Sequence, residues 1–183
     1  MIPVAQRVFE MFVVKDEFFN PDVSSFIARG TEVYLWRYWR TVMDDPANNR
    51  SFVSFLWTQS SEHNFFYMLW AMIQKEFPSL RNCYCWRIIA NGQVKGQNIK
   101  WHTDHDDKTV LYFPVEWKPD WGGSTYFKIG NCETEIQYKQ NRLVVFDSNI
   151  LHRGSGPTVD NILRVSIAFN LRLKATDTGK TTP

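Results

Sequence analysis

The chain lacks the features that mark membrane, secreted and polyanion-binding proteins. Its apolar runs are short and interrupted, as in Asn64 to Ile73, and none could span a bilayer. Charge of one sign is also missing: 21 Lys and Arg stand against 19 Asp and Glu, a formal +2. That balance gives no electrostatic reason to expect nucleic acid or an anionic membrane surface as a partner. Cysteine is scarce, with three in 183 residues. Cys83-Tyr84-Cys85 lacks the spacing of a zinc knuckle or a redox motif, and Cys132 stands alone, so all three read as reduced packing residues. The opening Met1-Ile2-Pro3-Val4-Ala5-Gln6-Arg7 has no charged start, apolar run and cleavage site in series. Together these absences predict a cytoplasmic setting. Internal repeats and low-complexity segments are missing as well.

What is abundant is apolar and aromatic material, 44% and 16% of the residues, enough for a sizeable core or an aromatic-lined pocket. The length suits one domain, expected over residues 1–173, with a polar tail over 174–183. Val8 to Phe19 alternates like a strand and ends in a turn at Asn20-Pro21. Asp22 to Met43 carries Phe26, Ile27, Val33, Trp36 and Trp39 at helical spacing and predicts a helix broken near Gly30. Asp44 to Asn49 reads as a loop. A second helix is predicted over Ser61 to Phe77, capped by Ser60-Ser61-Glu62 and stopped by Pro78. Helical support is thus expected over about 22–80.

From about residue 82 to 173 the texture changes to short β-rich runs between Gly, Asn, Asp and Pro. They cover Cys83–Ala90, Ile99–Asp104, Thr109–Val115, Ser124–Ile129, Glu133–Tyr138, Arg142–Asp147, Ile150–Arg153 and Ile162–Leu173. Strands at this spacing predict an α+β, mainly β protein: a jelly-roll or cupin-like barrel braced by N-terminal helices.

His102-Thr103-Asp104 closes one predicted strand, where residues two apart share a face and can grip one ion. His152, 48 residues beyond Asp104, is far enough along to leave an antiparallel barrel strand and return beside it. Two imidazoles and one carboxylate on one side leave the opposite positions of a metal open, which suits non-haem Fe(II). Zinc would more often draw on thiols or close its shell. Arg164 lies twelve residues beyond His152 in an otherwise apolar strand. A guanidinium buried there is costly unless an anion meets it, and a carboxylate fits its planar fork. Ser166 falls on the same strand face and can add a hydroxyl. His105 reads as a turn residue, His63 as structural, and Asp147 as a turn former or an acceptor for a ligand imidazole.

With those residues in view, the chain resembles the prolyl 4-hydroxylase branch of the Fe(II)/2-oxoglutarate dioxygenases, in particular small microbial and phage members. The resemblance runs through Val13-Val14-Lys15-Asp16-Glu17-Phe18-Phe19-Asn20-Pro21, Arg87-Ile88-Ile89-Ala90-Asn91-Gly92-Gln93, His102-Thr103-Asp104, Thr109-Val110-Leu111-Tyr112-Phe113, Gly122-Gly123-Ser124-Thr125, His152 and Arg164. It implies a double-stranded β-helix. It also implies Fe(II) on His102, Asp104 and His152, 2-oxoglutarate on Arg164, and O2 as second co-substrate. Phe113 stands where some relatives have a Tyr for the far carboxylate, so Tyr112, Thr109 and Ser166 are the candidates to replace it. The implied reaction turns 2-oxoglutarate into succinate and CO2 while a C–H bond is hydroxylated. Related halogenases lack the carboxylate ligand, so Asp104 favours hydroxylation.

Trp86, Trp101, Trp117, Trp121 and Tyr126 cluster around the motif strands. Trp101, Trp121 and Tyr126 are the candidates to line a substrate groove, with packing as the plainer role for each. Trp117 to Gly123 reads as a specificity loop at the barrel mouth. Peptidyl-proline is the first-choice substrate. A free amino acid or other small metabolite is the alternative, and a cupin-like metal-binding barrel without redox chemistry is the second. Nucleic-acid demethylation is disfavoured: related repair enzymes carry Arg-x-Asn-x-Thr-x-Arg after the last ligand, whereas this chain reads Arg164-Val165-Ser166-Ile167-Ala168-Phe169-Asn170.

Overall fold

The computed structural model describes residues 12–34, 36–40, 50–58 and 65–174. The expected cap at Ser60-Ser61-Glu62, the loop Asp44 to Asn49, His63, the start of the Val8 strand and the polar tail from residue 175 lie outside them. Among the described residues, two helices occupy the N-terminal half. In α1 (Pro21–Gly30) the Asn20 side chain accepts a hydrogen bond from the Val23 N–H at 2.9 Å, and Pro21 enters the first turn, where a missing N–H costs nothing. In α2 (Phe65–Glu76) Leu69, Trp70 and Ile73 form one buried stripe, and Pro78 ends the helical run.

The long helix expected from Asp22 to Met43 stops early. After α1 comes one 3-10 turn, Thr31–Val33, and then a strand, β2 (Arg37–Arg40). Thr31, Val33, Tyr34, Trp36 and Tyr38 supply β-branched and aromatic side chains that suit a pleated surface better than a helix interior. The long β3 (Arg50–Thr58), not among the expected strands, pairs with it.

The other strands are β1 (Phe12–Lys15), β4 (Cys83–Gln93), β5 (Lys108–Phe113), β6 (Thr125–Ile129), β7 (Cys132–Ile136), β8 (Arg142–Asp147), β9 (Leu151–Gly154) and β10 (Arg164–Leu173). The run Ile99–Asp104, expected as a strand, is irregular except for one antiparallel bridge, His102 to His152. The major sheet has the antiparallel order β1-β8-β5-β10-β4-β3-β2, and a smaller sheet has the order β7-β6-β9. This is the expected mainly β, double-stranded β-helix architecture. The stretch 22–80 gives it β2 and β3 as well as the two helices.

Alternation along the strands divides the molecule into two compartments. Val110, Tyr112, Leu143, Val145, Val165, Ile167, Phe169 and Leu171 face the helices, where they meet Phe19, Ile27, Leu69, Trp70 and Ile73. Cys83 and Cys85 are buried in the same layer, and burial pushes the Cys85 thiol up to about 12, as expected of packing residues. Leu111, Phe113, Val144, Phe146 and Ala168 face the smaller sheet and pack with Phe12, Phe127, Tyr138 and Ile150. That second core fills one end of the sandwich. The other end, under β3, β4 and β10, is left open as a cavity. Among the described residues no helix is long and apolar enough to cross a membrane.

Candidate active site

The cavity has a volume of about 460 Å³. Its walls mix apolar side chains (Val53, Ile89, Leu111, Ala168) with His102, Asp104, His152 and Arg164. Such a volume suits a small organic co-substrate plus part of a second molecule.

Backbone pairing assembles the first three polar groups. The His102 N–H donates to the His152 carbonyl at 3.0 Å, and the His152 N–H returns to the His102 carbonyl at 2.9 Å. The Asp104 N–H donates to the Ser148 carbonyl at 2.9 Å. These bonds do what the expected strand would have done: His102 is paired to β9 at His152, and Asp104 is held by Ser148 in the turn before it. One ligand atom from each of His102, Asp104 and His152 lies within 4.8 Å of the other two. Among the described residues these three are the single such cluster of His, Cys, Asp and Glu.

Each side chain is also oriented. His102 Nδ1 lies 2.9 Å from the Lys100 carbonyl, and His152 Nδ1 lies 2.9 Å from the Ile150 carbonyl. A carbonyl only accepts, so each Nδ1 carries the proton and each Nε2 keeps its lone pair. Burial lowers the pKa of His152, more than the Asp104 carboxylate raises it, and so favours the neutral ring a metal needs. The Thr109 hydroxyl donates to Asp104 Oδ2 at 2.6 Å and sits 2.8 Å from the Ser148 hydroxyl. Asp147, considered as an acceptor for an imidazole, pairs instead with Lys108.

Arg164 is 2% exposed. Its Nε donates to the Gly123 carbonyl at 2.6 Å, Nη1 to Gln93 Oε1 at 2.8 Å, and Nη2 to the Thr125 hydroxyl at 2.8 Å. Ser166 Oγ lies 3.4 Å from Nη1. All these acceptors are neutral, and no described acid pairs with the cation. Burial lowers its pKa to about 10, so it stays charged at neutral pH. A buried positive charge without a counter-ion, opening into a cavity, calls for an anionic ligand. Gly123 makes the close carbonyl approach possible. It holds φ +76°, and a Cβ there would lie 2.8 Å from the Trp117 ring.

The donors thus fit a divalent metal with open positions, and the cation fits a carboxylate bound beside it. Residues 86–172, which carry all four groups, match the family model described as the 2OG-Fe(II) oxygenase superfamily. This segment is a 2OG-Fe(II) oxygenase domain. Members of that superfamily work with Fe(II), 2-oxoglutarate and O2, the ligands that the three donors and the buried cation here fit. A search of curated protein sequences found no match.

Solved structures share the oxygenase's fold. A prolyl-4-hydroxylase from Pseudomonas putida is similar with a TM-score of 0.65 at 15% identity, over 90% of this chain and 93% of that one. A Trichoplax adhaerens prolyl hydroxylase, solved with a hypoxia inducible factor peptide fragment, gives 0.67 at 16% identity, over 92% and 86%. HygX from Streptomyces hygroscopicus, solved with nickel, 2-oxoglutarate and hygromycin B, gives 0.66 at 9% identity, over 95% and 88%.

Several expected contacts fall elsewhere in the oxygenase. Tyr112 does not reach the cavity. It points to the helices, where its hydroxyl lies 3.1 Å from Ser24 Oγ and 3.2 Å from Asn141 Oδ1. Thr109 faces the cavity side but holds Asp104 rather than the Arg164 end. Ser166 stands beside Arg164, as expected. Trp101 and Tyr126 do not line the main cavity; they flank the Arg153 guanidinium at 4.9 and 4.8 Å. Trp121 packs edge-on against Trp117, and Trp117 packs on Tyr138. The loop Trp117 to Gly123 therefore braces Arg164 from behind. Of the aromatics singled out, Trp86 is the one that lines the cavity. Gln93 and Thr125 were missed, although their spacing from Arg87 and Gly123 within the motifs could have drawn attention to them.

Thr109 offers a sharp local test. Thr109→Val keeps the shape and removes the donor to Asp104. Metal affinity is expected to fall about 10- to 100-fold, read by anaerobic Fe(II) titration, with the thermal midpoint little changed. Unaltered affinity would show that the hydroxyl does not position the ligand.

Proposed function

We propose that the protein hydroxylates an unactivated C–H bond of peptidyl-proline, in the manner of a prolyl 4-hydroxylase. The observation that carries the hydroxylase reading is the meeting of His102, Asp104, His152 and the unpaired Arg164 cation in one cavity. In this reading His102, Asp104 and His152 hold Fe(II), and Arg164, with Thr125 and Ser166 beside it, holds the far carboxylate of 2-oxoglutarate. When bound, the metal and co-substrate supply with O2 the oxidising power to put one oxygen atom into a C–H bond, leaving succinate and CO2.

The chain's own residues do the rest. The Nδ1–H bonds to Lys100 and Ile150 keep both imidazoles aimed. Thr109 fixes Asp104, whose presence favours hydroxylation over halogenation. Val53, Ile89, Leu111 and Ala168 keep the cavity wall apolar and limit competing water. Similarity in fold to prolyl hydroxylases, one holding a peptide, supports a proline-containing peptide as substrate.

The test is a screen of proline-rich peptides with Fe(II), 2-oxoglutarate and O2, reading a mass gain of one oxygen together with succinate. The expected result is oxygen placed on proline. Succinate coupled to oxidation of a free amino acid or other small molecule, with every peptide unchanged, would replace peptidyl-proline with the metabolite alternative.

A further inference from the structure

The cavity mouth carries an arrangement that neither metal nor co-substrate binding uses. In the β4–β10 pairing Asn170 faces Arg87 and Leu171 faces Cys85, so Trp86 is the extra residue of a β-bulge. The bulge changes which side of the sheet the strand presents. Cys85 lies in the helix-side core, while the consecutive Trp86 and Arg87 both line the cavity. Arg87 and Arg172 stack against the Trp86 ring, 4.6 and 4.2 Å from its centroid. Asp106 locks the group in place: its carboxylate accepts from Trp86 Nε1 at 2.7 Å and from Arg172 Nε at 3.4 Å.

Strand register puts Arg87 in one row with Thr109, the residue that holds Asp104. Arg87 pairs with Asn170, Asn170 with Thr109, and the Thr109 hydroxyl holds Asp104. All three side chains are on the cavity face. Asn170, itself 2% exposed, accepts from Arg87 Nε at 3.2 Å and so ties the guanidinium to this row. At roughly 4.8 Å between strands, Arg87 starts about two strand spacings from Thr109 and can reach a substrate lying over the metal. Its acceptor is neutral, and among the described residues no acid pairs with it. Asp106 is the one carboxylate shared by the two arginines' cluster. The mouth is therefore short of negative charge.

We infer that Arg87, supported by Arg172, selects the substrate by taking a carboxylate close to the carbon that is oxidised. The inference rests on the oxygenase reading of the site. The carboxylate can come from an Asp or Glu beside the target residue of a peptide, or from the α-carboxylate of a free amino acid. Both present the same planar pair of oxygens to a guanidinium fork.

Four probes distinguish the sources: a degenerate tetrapeptide pool with one fixed Asp, the same pool with Asn, pooled free L-amino acids, and their amides. Each is offered anaerobically to protein loaded with Fe(II) and 2-oxoglutarate. Retention is read by ultrafiltration and mass spectrometry, so turnover is not required. Carboxylate probes are expected to be retained about tenfold over their amide partners in at least one pair. Arg87→Gln should bring that ratio to near one, and Arg87→Lys should restore part of it. A ratio near one in both pairs of the unaltered protein, or a preference that survives in Arg87→Gln, overturns the inference. A preference confined to free amino acids upholds it while removing peptidyl-proline. Oxygen gain on proline without any charge preference does the reverse.

Discussion

Arg164→Ala is expected to bind Fe(II) nearly as well as the unaltered protein while losing about 2–5 kcal/mol of 2-oxoglutarate affinity, roughly 30- to 5,000-fold in Kd. The asymmetry follows from the layout. Arg164 touches Gly123, Gln93, Thr125 and Ser166 and none of the three candidate ligands. Its charge meets no described acid, so the carboxylate of the co-substrate is the counter-ion in this account. Arg164→Lys should recover only part of the loss, because an ammonium keeps the charge but cannot fill three acceptors in one plane. Anaerobic calorimetry of each ligand alone separates the two effects. Equal loss of metal and co-substrate would mean that Arg164 supports the fold of the site rather than the ligand.

Asp104→Ala is expected to abolish both Fe(II) binding at micromolar metal and all succinate formation. Removing this carboxylate leaves two imidazoles and leaves the Thr109 hydroxyl with Ser148 as its one remaining hydrogen-bond partner. Because the Asp104 backbone N–H still donates to Ser148, the loop should hold its course. The thermal midpoint of the metal-free protein should therefore stay close to that of the unaltered one. Metal titration and differential scanning calorimetry check the two halves. A variant that binds Fe(II) with unchanged affinity would remove Asp104 from the ligand set.

The site was legible in the sequence where chemistry forces a residue type, and less so where geometry chooses among neighbours. His102, Asp104, His152 and Arg164 stood out because their types and order are unusual within a β-rich half. The mistake over Tyr112 shows the limit. Thr109 and Tyr112 stand at odd and even positions of β5, so they face opposite sides of the sheet. Alternation permits only one of them at the cavity, but deciding which needs the register with β10. Trp86 illustrates the same point from the other side. Regular alternation would set it opposite Arg87, and only the bulge brings both to the cavity. The helix expected to run to Met43 failed because aromatic residues at helical spacing also suit a strand. The partner strand that favoured β2, Arg50–Thr58, had not been recognised.

In the proposed site two imidazoles, a carboxylate and a distant guanidinium serve one metal and one co-substrate. The weak visible charge-transfer absorption of an Fe(II)–2-oxoglutarate chelate, recorded anaerobically, tests it most directly. The band is expected to appear when both are added to the protein and to be lost in His102→Ala. A band that persists in His102→Ala, or that never forms in the unaltered protein despite bound iron and 2-oxoglutarate, would contradict it.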